Sequence, residues 1–472
     1  MGNVLRNATW TRRRLLGIWA GLSATYLGKL PLVARRQEIV AAASAATNLI
    51  FRAAPYGAKL VRANLDRFEQ QYPDLKVEYI TEPGLTYIQK MTTLLSTGAQ
   101  PFDLMQVGDE PFGRWAEAGW LEPIDGFPEV AGYKRDLYPF NLEGMTYKGK
   151  LYGLPYYSDF EIFVYNNKML RDTGFATPPA TWDEVKTQAL AIKKSTNMNY
   201  PMVTPLKKSF PNSFGLYWSM VYGAGGRFFD RDLNPVYPDK NPVPLEALAW
   251  IVDAMNTWKI LDPSSLETTN VQLADALAAG QVAFGNIAKY DLKRLNDASS
   301  SKVAGDAKMA AFPTLAKGQR GGGYGWVRMY TITKMSTHKE QAWKLLQYVG
   351  GKDREGRYHT AKSWYLSDGL GFGYPQLAKD PEIIESTKKW GDPVLISQQA
   401  ALVKTRENIK APWFAEWDLY HQGQIQEALL KKVSLRVALR ASAKKALELK
   451  EGSLGRYHIS DGCAVHPVGM SR

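Results

Sequence analysis

Cysteine is almost absent from this chain of 472 residues: Cys463, near the far end, is the only one. A lone thiol excludes an internal disulfide and leaves no plausible cysteine nucleophile. Histidine is scarce too; residues 338, 359, 421, 458 and 466 show no metal-ligand spacing, so no metal site is expected. No G-x-S-x-G elbow is present. The run Gly321-Gly322-Gly323-Tyr324-Gly325-Trp326 is not followed by G-K-[S/T], which removes a phosphate loop and leaves close backbone approach as its use. No apolar run is long enough to span a bilayer; the best, Leu15 to Leu27, is cut off by Lys29 and Pro31. Neither cofactor nor catalytic motif is legible.

Charge narrows the field further. The chain carries +13, but seven basic residues against Glu38 before Ala45 leave only +7 to everything that follows. A nucleic-acid binder concentrates its basic residues on one face or helix. Here the densest basic run beyond the N-terminal segment, Arg436 to Lys445 with Lys431 and Lys432, reads as a solvated helix face, and no nucleic-acid partner is expected.

What is present is an alternation of strands and helices with enough apolar content (45 % of residues) for two cores. Leu49 to Ala53 reads as a strand. Val61, Leu65, Phe68 and Tyr72 share one helical face, and Val77 and Tyr79 alternate with charged neighbours. Phe102 to Val107 is a further apolar run, and Ala342, Leu345, Leu346 and Val349 form another helical stripe. Strands alternating with helices predict an α/β fold with largely parallel sheets. Gly149 to Glu184 is the densest stretch of signals. Gly153 and Pro155 mark a turn, Phe160 to Tyr165 is a strand, and Thr181-Trp182-Asp183-Glu184 is a capping box that starts a helix.

The order G-K-L-Y-G-L-P, then Y-N-N-K-M-L, then G-F-A-T-P-P-A-T-W-D-E in that stretch closely resembles the extracellular solute-binding proteins (family 1) of ABC-type sugar importers. The resemblance covers roughly Asn48 to Leu449. It implies an α/β, two-lobe periplasmic-binding-protein-like fold with discontinuous domains and a hinge of crossing strands. Carried over, residues 46–155 and 312–370 make one lobe and 156–311 and 371–450 the other. Crossings are expected near Leu154–Ser158, Ala311–Thr314 and Ser367–Tyr374, and a disordered tail over 451–472. Thr11-Arg12-Arg13-Arg14-Leu15-Leu16 is a twin-arginine pattern, and Ala41 to Ala46 offers small-residue cleavage sites, for example after Ala45. Residues 1–45 are therefore expected to be an export signal, with a soluble, monomeric periplasmic protein as the product.

That family implies a carrier, not an enzyme, which takes a carbohydrate between its lobes and passes it to permease subunits in the inner membrane. In such sheets ligands sit at strand carboxyl ends, which singles out Asp109 and Glu110 after the Phe102–Val107 run. A carboxylate accepts two neighbouring sugar hydroxyls, while flat rings stack on a sugar's C–H face. Trp413, in A-P-W-F-A-E-W-D, and Tyr290, after V-A-F-G-N, stand where the family presents ligand contacts, and Asn286 offers an amide. Tyr157, Glu161, Trp218 and Trp326 complete the candidates. Two other readings stay open at this point. The same fold could take a polyol or a glycerol-phosphate-type solute, with Arg227, Lys289 and Arg328 as candidates for an anion's partner, and a secreted carbohydrate-active enzyme would share the aromatics and acids.

Overall fold

A computed structural model describes residues 46–457 except Leu85, 209–212 and 320, with side chains to Ser453. Residues 1–45, where an export signal is expected, Cys463 and the last part of the tail lie outside the described residues. Among those described, no helix is long and apolar enough to cross a membrane.

Among the described residues nine strands form in chain order: β1 (Thr47–Ala53), β2 (Leu75–Thr81), β3 (Leu104–Gly108), β4 (Thr146–Tyr147), β5 (Lys150–Leu151), β6 (Leu154–Asn166), β7 (Phe284–Ala288), β8 (Ala307–Ala310) and β9 (Gly325–Ile332). The principal sheet runs β2-β1-β3-β9-β6-β7, with β8 also on β6, and β4 with β5 makes a small hairpin. Only β1, β2 and β3 pair in parallel, joined by the helices Ala58–Gln71 and Tyr87–Thr97 that such crossovers require. β9 is antiparallel to both β3 and β6, and β7 and β8 are antiparallel to β6. The sheet is therefore mixed, not largely parallel: the long β6 makes every one of its pairings antiparallel.

β6 is the spine of the molecule. Leu154 to Phe160 pair with β9, and Glu161 to Asn166 pair with β7 and β8. Buried side chains fall into two cores. One gathers Phe51, Leu65, Phe68, Trp115 and Leu346, and the other Trp182, Trp218, Trp250, Phe284 and Trp417. β6 feeds both, Leu154 and Tyr156 into the first and Phe163 into the second. This is the bilobed plan. The chain returns beside β3 as β9, later than the expected Ala311–Thr314, which bridges to Thr181 instead. Gly369–Gly373 passes alongside without becoming a strand; Gly371 O accepts from Ser158 N and Gly373 O from Tyr138 N.

The local signals hold in most details. Val61, Leu65 and Phe68 are buried on the helix Ala58–Gln71, and Ala342, Leu345, Leu346 and Val349 on Lys339–Gly350. The Thr181 hydroxyl accepts from Glu184 N at 3.2 Å, so the helix Trp182–Thr196 starts as read. The Glu184 carboxylate takes Ala180 N, at 2.8 Å, where the full box would use Thr181 N. The last helix, Leu435–Tyr457, runs past residue 450 into the segment expected to be disordered. Lys450 holds it there by donating to Asp232 O and Asn234 Oδ1.

Candidate functional site

β3 ends at Gly108, whose extended backbone delivers the chain into the helix Asp109–Glu117. The amide groups of its first turn point outward at this end, and the turn begins with two acids. Beside it opens a cavity of about 210 Å³, lined among others by Gln106, Asp109, Glu110, Tyr324, Arg328 and Arg406.

Asp109 is tied to β9. Its Oδ1 accepts from Val327 N and from Arg328 Nη1, both at 3.0 Å. Burial pushes its carboxyl up, while Arg328, Val327 N–H and Arg406 pull the other way. Arg328 lies over Gly108, where any Cβ would stand 3.3 Å from the guanidinium. Its Nη1 also donates to Val327 O, and among the described residues no hydrogen bond uses its Nε or Nη2. Arg406 is held differently. Nη1 donates to Asp418 Oδ1 at 3.0 Å, and the guanidinium packs over Phe414 (4.4 Å), Tyr324 (5.3 Å) and Trp218 (5.4 Å). Its Nε is buried with no partner among the described residues. Gln106 accepts from Ala54 N and donates to the Tyr156 hydroxyl, which holds its amide in the wall.

The expected ligand residues divide. Asp109 and Glu110 line the cavity. Tyr157, opposite Arg328 in the β6–β9 register, is half-buried, as is Tyr290 near Tyr157; neither lines the cavity itself. Trp218, 1 % exposed, lies in the second core beneath Arg406, against Phe228 and Trp417. Trp326 is fully buried, and Trp413, 7 % exposed, packs on Phe229. These three are interior side chains and present no stacking face to the cavity. Glu161 and Asn286 are interior as well: Thr204 Oγ1 donates to Asn286 Oδ1 at 2.6 Å, and Asn286 Nδ2 to Glu161 Oε2 at 2.7 Å. Burial pushes Glu161 up to about 8. Lys289, one of the anion candidates, is committed to a buried ion pair with Asp159 at 3.5 Å. Arg227 lines a different, larger groove with Arg231 and Glu407.

Sequence reasoning missed Arg406, Tyr324 and Gln106. Gln106 lies inside the recognised strand, but nothing in K-T-R-E-N around Arg406 announces a site. Among the described residues, no cluster of His, Cys, Asp and Glu could hold a metal ion. Chemically the cavity offers guanidinium donors and carboxylate acceptors together.

Comparison with known proteins bears on the family and the fold. The chain is 27 % identical over 348 residues to a mannitol-binding protein of Pseudomonas aeruginosa, covering 72 % of this chain and 76 % of that one. It is 23 % identical over 388 residues to a maltotriose-binding protein of Pyrococcus abyssi (79 % and 75 %). Among solved structures, the sugar-binding protein MalE of Xanthomonas citri superposes with a TM-score of 0.73 at 21 % identity, over 89 % of this chain and 100 % of that one. Residues 54–354 match the family described as bacterial extracellular solute-binding protein, and the chain belongs to that family.

Proposed function

We propose that this protein is the periplasmic binding component of an ABC importer for a neutral, polyhydroxylated solute: a sugar, an oligosaccharide or a polyol. It is not an enzyme; the family is one of binding proteins, which sets aside the reading as a secreted hydrolase. The solute sits between the lobes against Asp109, Glu110, Arg328 and Arg406, with Tyr157 and Tyr290 beside it. A loaded, closed form then docks on the membrane permease. Export by the twin-arginine pattern of residues 11–16 belongs to the same reading.

One observation favours a neutral solute over an anion. Both arginines on the cavity already face a carboxylate, Arg328 facing Asp109 and Arg406 facing Asp418. Glu110 adds a further negative charge to the lining. An incoming phosphate would have to compete with these acids, whereas hydroxyls can accept from the free guanidinium N–H groups and donate to carboxylate oxygens at once. The mannitol- and maltotriose-binding relatives are named for neutral polyhydroxylated solutes.

The test is a thermal-shift screen of the mature chain with D-mannitol, maltose, maltotriose and glycerol 3-phosphate. A ligand of the folded state at one hundred times its Kd adds about 2.7 kcal/mol of stability. A neutral solute is expected to raise the melting temperature and to be recovered unchanged by chromatography. A response to glycerol 3-phosphate alone contradicts the neutral assignment.

A further inference from the structure

Tyr56 is an exposed aromatic with an unusual mount. It stands three residues beyond the end of β1, at the same sheet end as Asp109, and is 54 % exposed. Its ring lies parallel to the indole of Trp364 (7° between planes, centroids 5.9 Å apart), and Trp364 is 1 % exposed. The next residue makes this possible. Gly57 has φ of +62°, and a Cβ there would fall 2.0 Å from Trp364 Cη2, so only glycine lets the turn lie on the indole.

Behind Trp364 the rings continue inward. Trp364 meets Tyr156 at 6.1 Å, Tyr156 stacks on Tyr330 at 4.4 Å, and Tyr330 meets Phe51 edge-on at 4.9 Å. Tyr56 is the outermost ring of this column, with one face on Trp364 and the other open. Tyr157 and Asp291 lie near enough to influence its hydroxyl, as they do that of Tyr290. Tyr157 also borders Arg328 across the β6–β9 register, which links the column to the Asp109 cavity. That cavity, at about 210 Å³, is small beside the roughly 300–1,000 Å³ of a drug-sized site.

We propose that Tyr56, braced by Trp364, is a stacking platform forming a second subsite beside the Asp109–Arg328 cavity, so that the cleft takes a solute of two or more sugar units. The inference rests on the carbohydrate reading above. One unit hydrogen-bonds in the cavity, and the apolar C–H face of the next lies on the open face of Tyr56. Bracing matters because a ring already fixed loses little freedom when the sugar docks.

Titration calorimetry of wild type, Tyr56→Ala and Tyr56→Phe with D-mannitol, maltose and maltotriose tests it. Tyr56→Ala is expected to weaken maltose or maltotriose about tenfold, the scale of a lost aromatic contact. D-mannitol, filling only the cavity, is expected to change less than twofold, and Tyr56→Phe to keep wild-type affinity. The melting temperature without ligand should stay near wild type, because the ring is at the surface. Equal affinity of wild type and Tyr56→Ala for the glucans, an equal loss for all probes, or binding confined to D-mannitol overturns the second subsite. Wild type binding none of the three contradicts the carbohydrate reading itself.

Discussion

Lys289→Met is expected to destabilise the protein by about 3–5 kcal/mol, because it leaves a buried carboxylate without its cation. Both partners are fully buried: Lys289 Nζ lies 3.5 Å from Asp159 Oδ2. Asp159 also accepts from Phe160 N at 3.0 Å and Gly371 N at 2.9 Å, and Lys289 donates to Gly369 O and sits over the Tyr365 ring at 4.7 Å. Burial pushes Asp159 up and Lys289 down, and each charge is kept by the other. The pair fastens three segments at one point: β6, the turn after β7 and the Gly369–Gly371 passage. Asp159→Asn removes the charge and keeps one acceptor oxygen, enough for either Phe160 N or Gly371 N but not both, since the two amides bond to different carboxylate oxygens. The double variant Asp159→Asn/Lys289→Met should therefore be more stable than Lys289→Met alone, a coupling that a double-mutant cycle by denaturant unfolding measures. Additive losses would show that the two side chains do not act as a pair.

The second large effect is on binding. Arg328→Ala is expected to weaken the best ligand at least about a hundredfold, within the range of 2–5 kcal/mol for truncating a buried hydrogen-bonded charge. The change removes the Nε and Nη2 donors and also leaves Asp109 without its ion-pair partner, with the Val327 N–H hydrogen bond and the more distant Arg406 remaining. Arg328→Lys keeps the charge but loses the planar fork, so it should fall between wild type and alanine. Asp109→Asn retains the shape and one acceptor, and its loss should be smaller than that of Arg328→Ala. Calorimetry at matched folded concentration reads all three. Unchanged affinity in Arg328→Ala would move the solute out of this cavity.

Much of this was legible where the physics is local. The apolar stripes of Ala58–Gln71 and Lys339–Gly350 and the cap at Thr181 need only neighbours in sequence. Asp109 and Glu110 could be singled out because a strand ends just before them. The mixed sheet could not: nothing in G-W-V-R-M-Y-T-I says that β9 lies antiparallel between β3 and β6. The tryptophans misled for a related reason. Trp218, Trp326 and Trp413 stand outside clear core periodicity, yet Trp218 and Trp413 meet rings from distant segments, Trp326 joins the same core beside Tyr324, and all three are buried. Arg406 gains its meaning only from Asp418, Tyr324 and Trp218 folding around it. Tyr56, by contrast, stands just beyond the end of a recognised strand and was open to the same argument that found Asp109.

The central claim is that a solute is held between two lobes that close on it, as periplasmic binding proteins do. Small-angle scattering of the mature chain, alone and saturated with its best-binding sugar, tests this directly. The account predicts a smaller radius of gyration in the loaded protein. Superimposable profiles at proven saturation would contradict it.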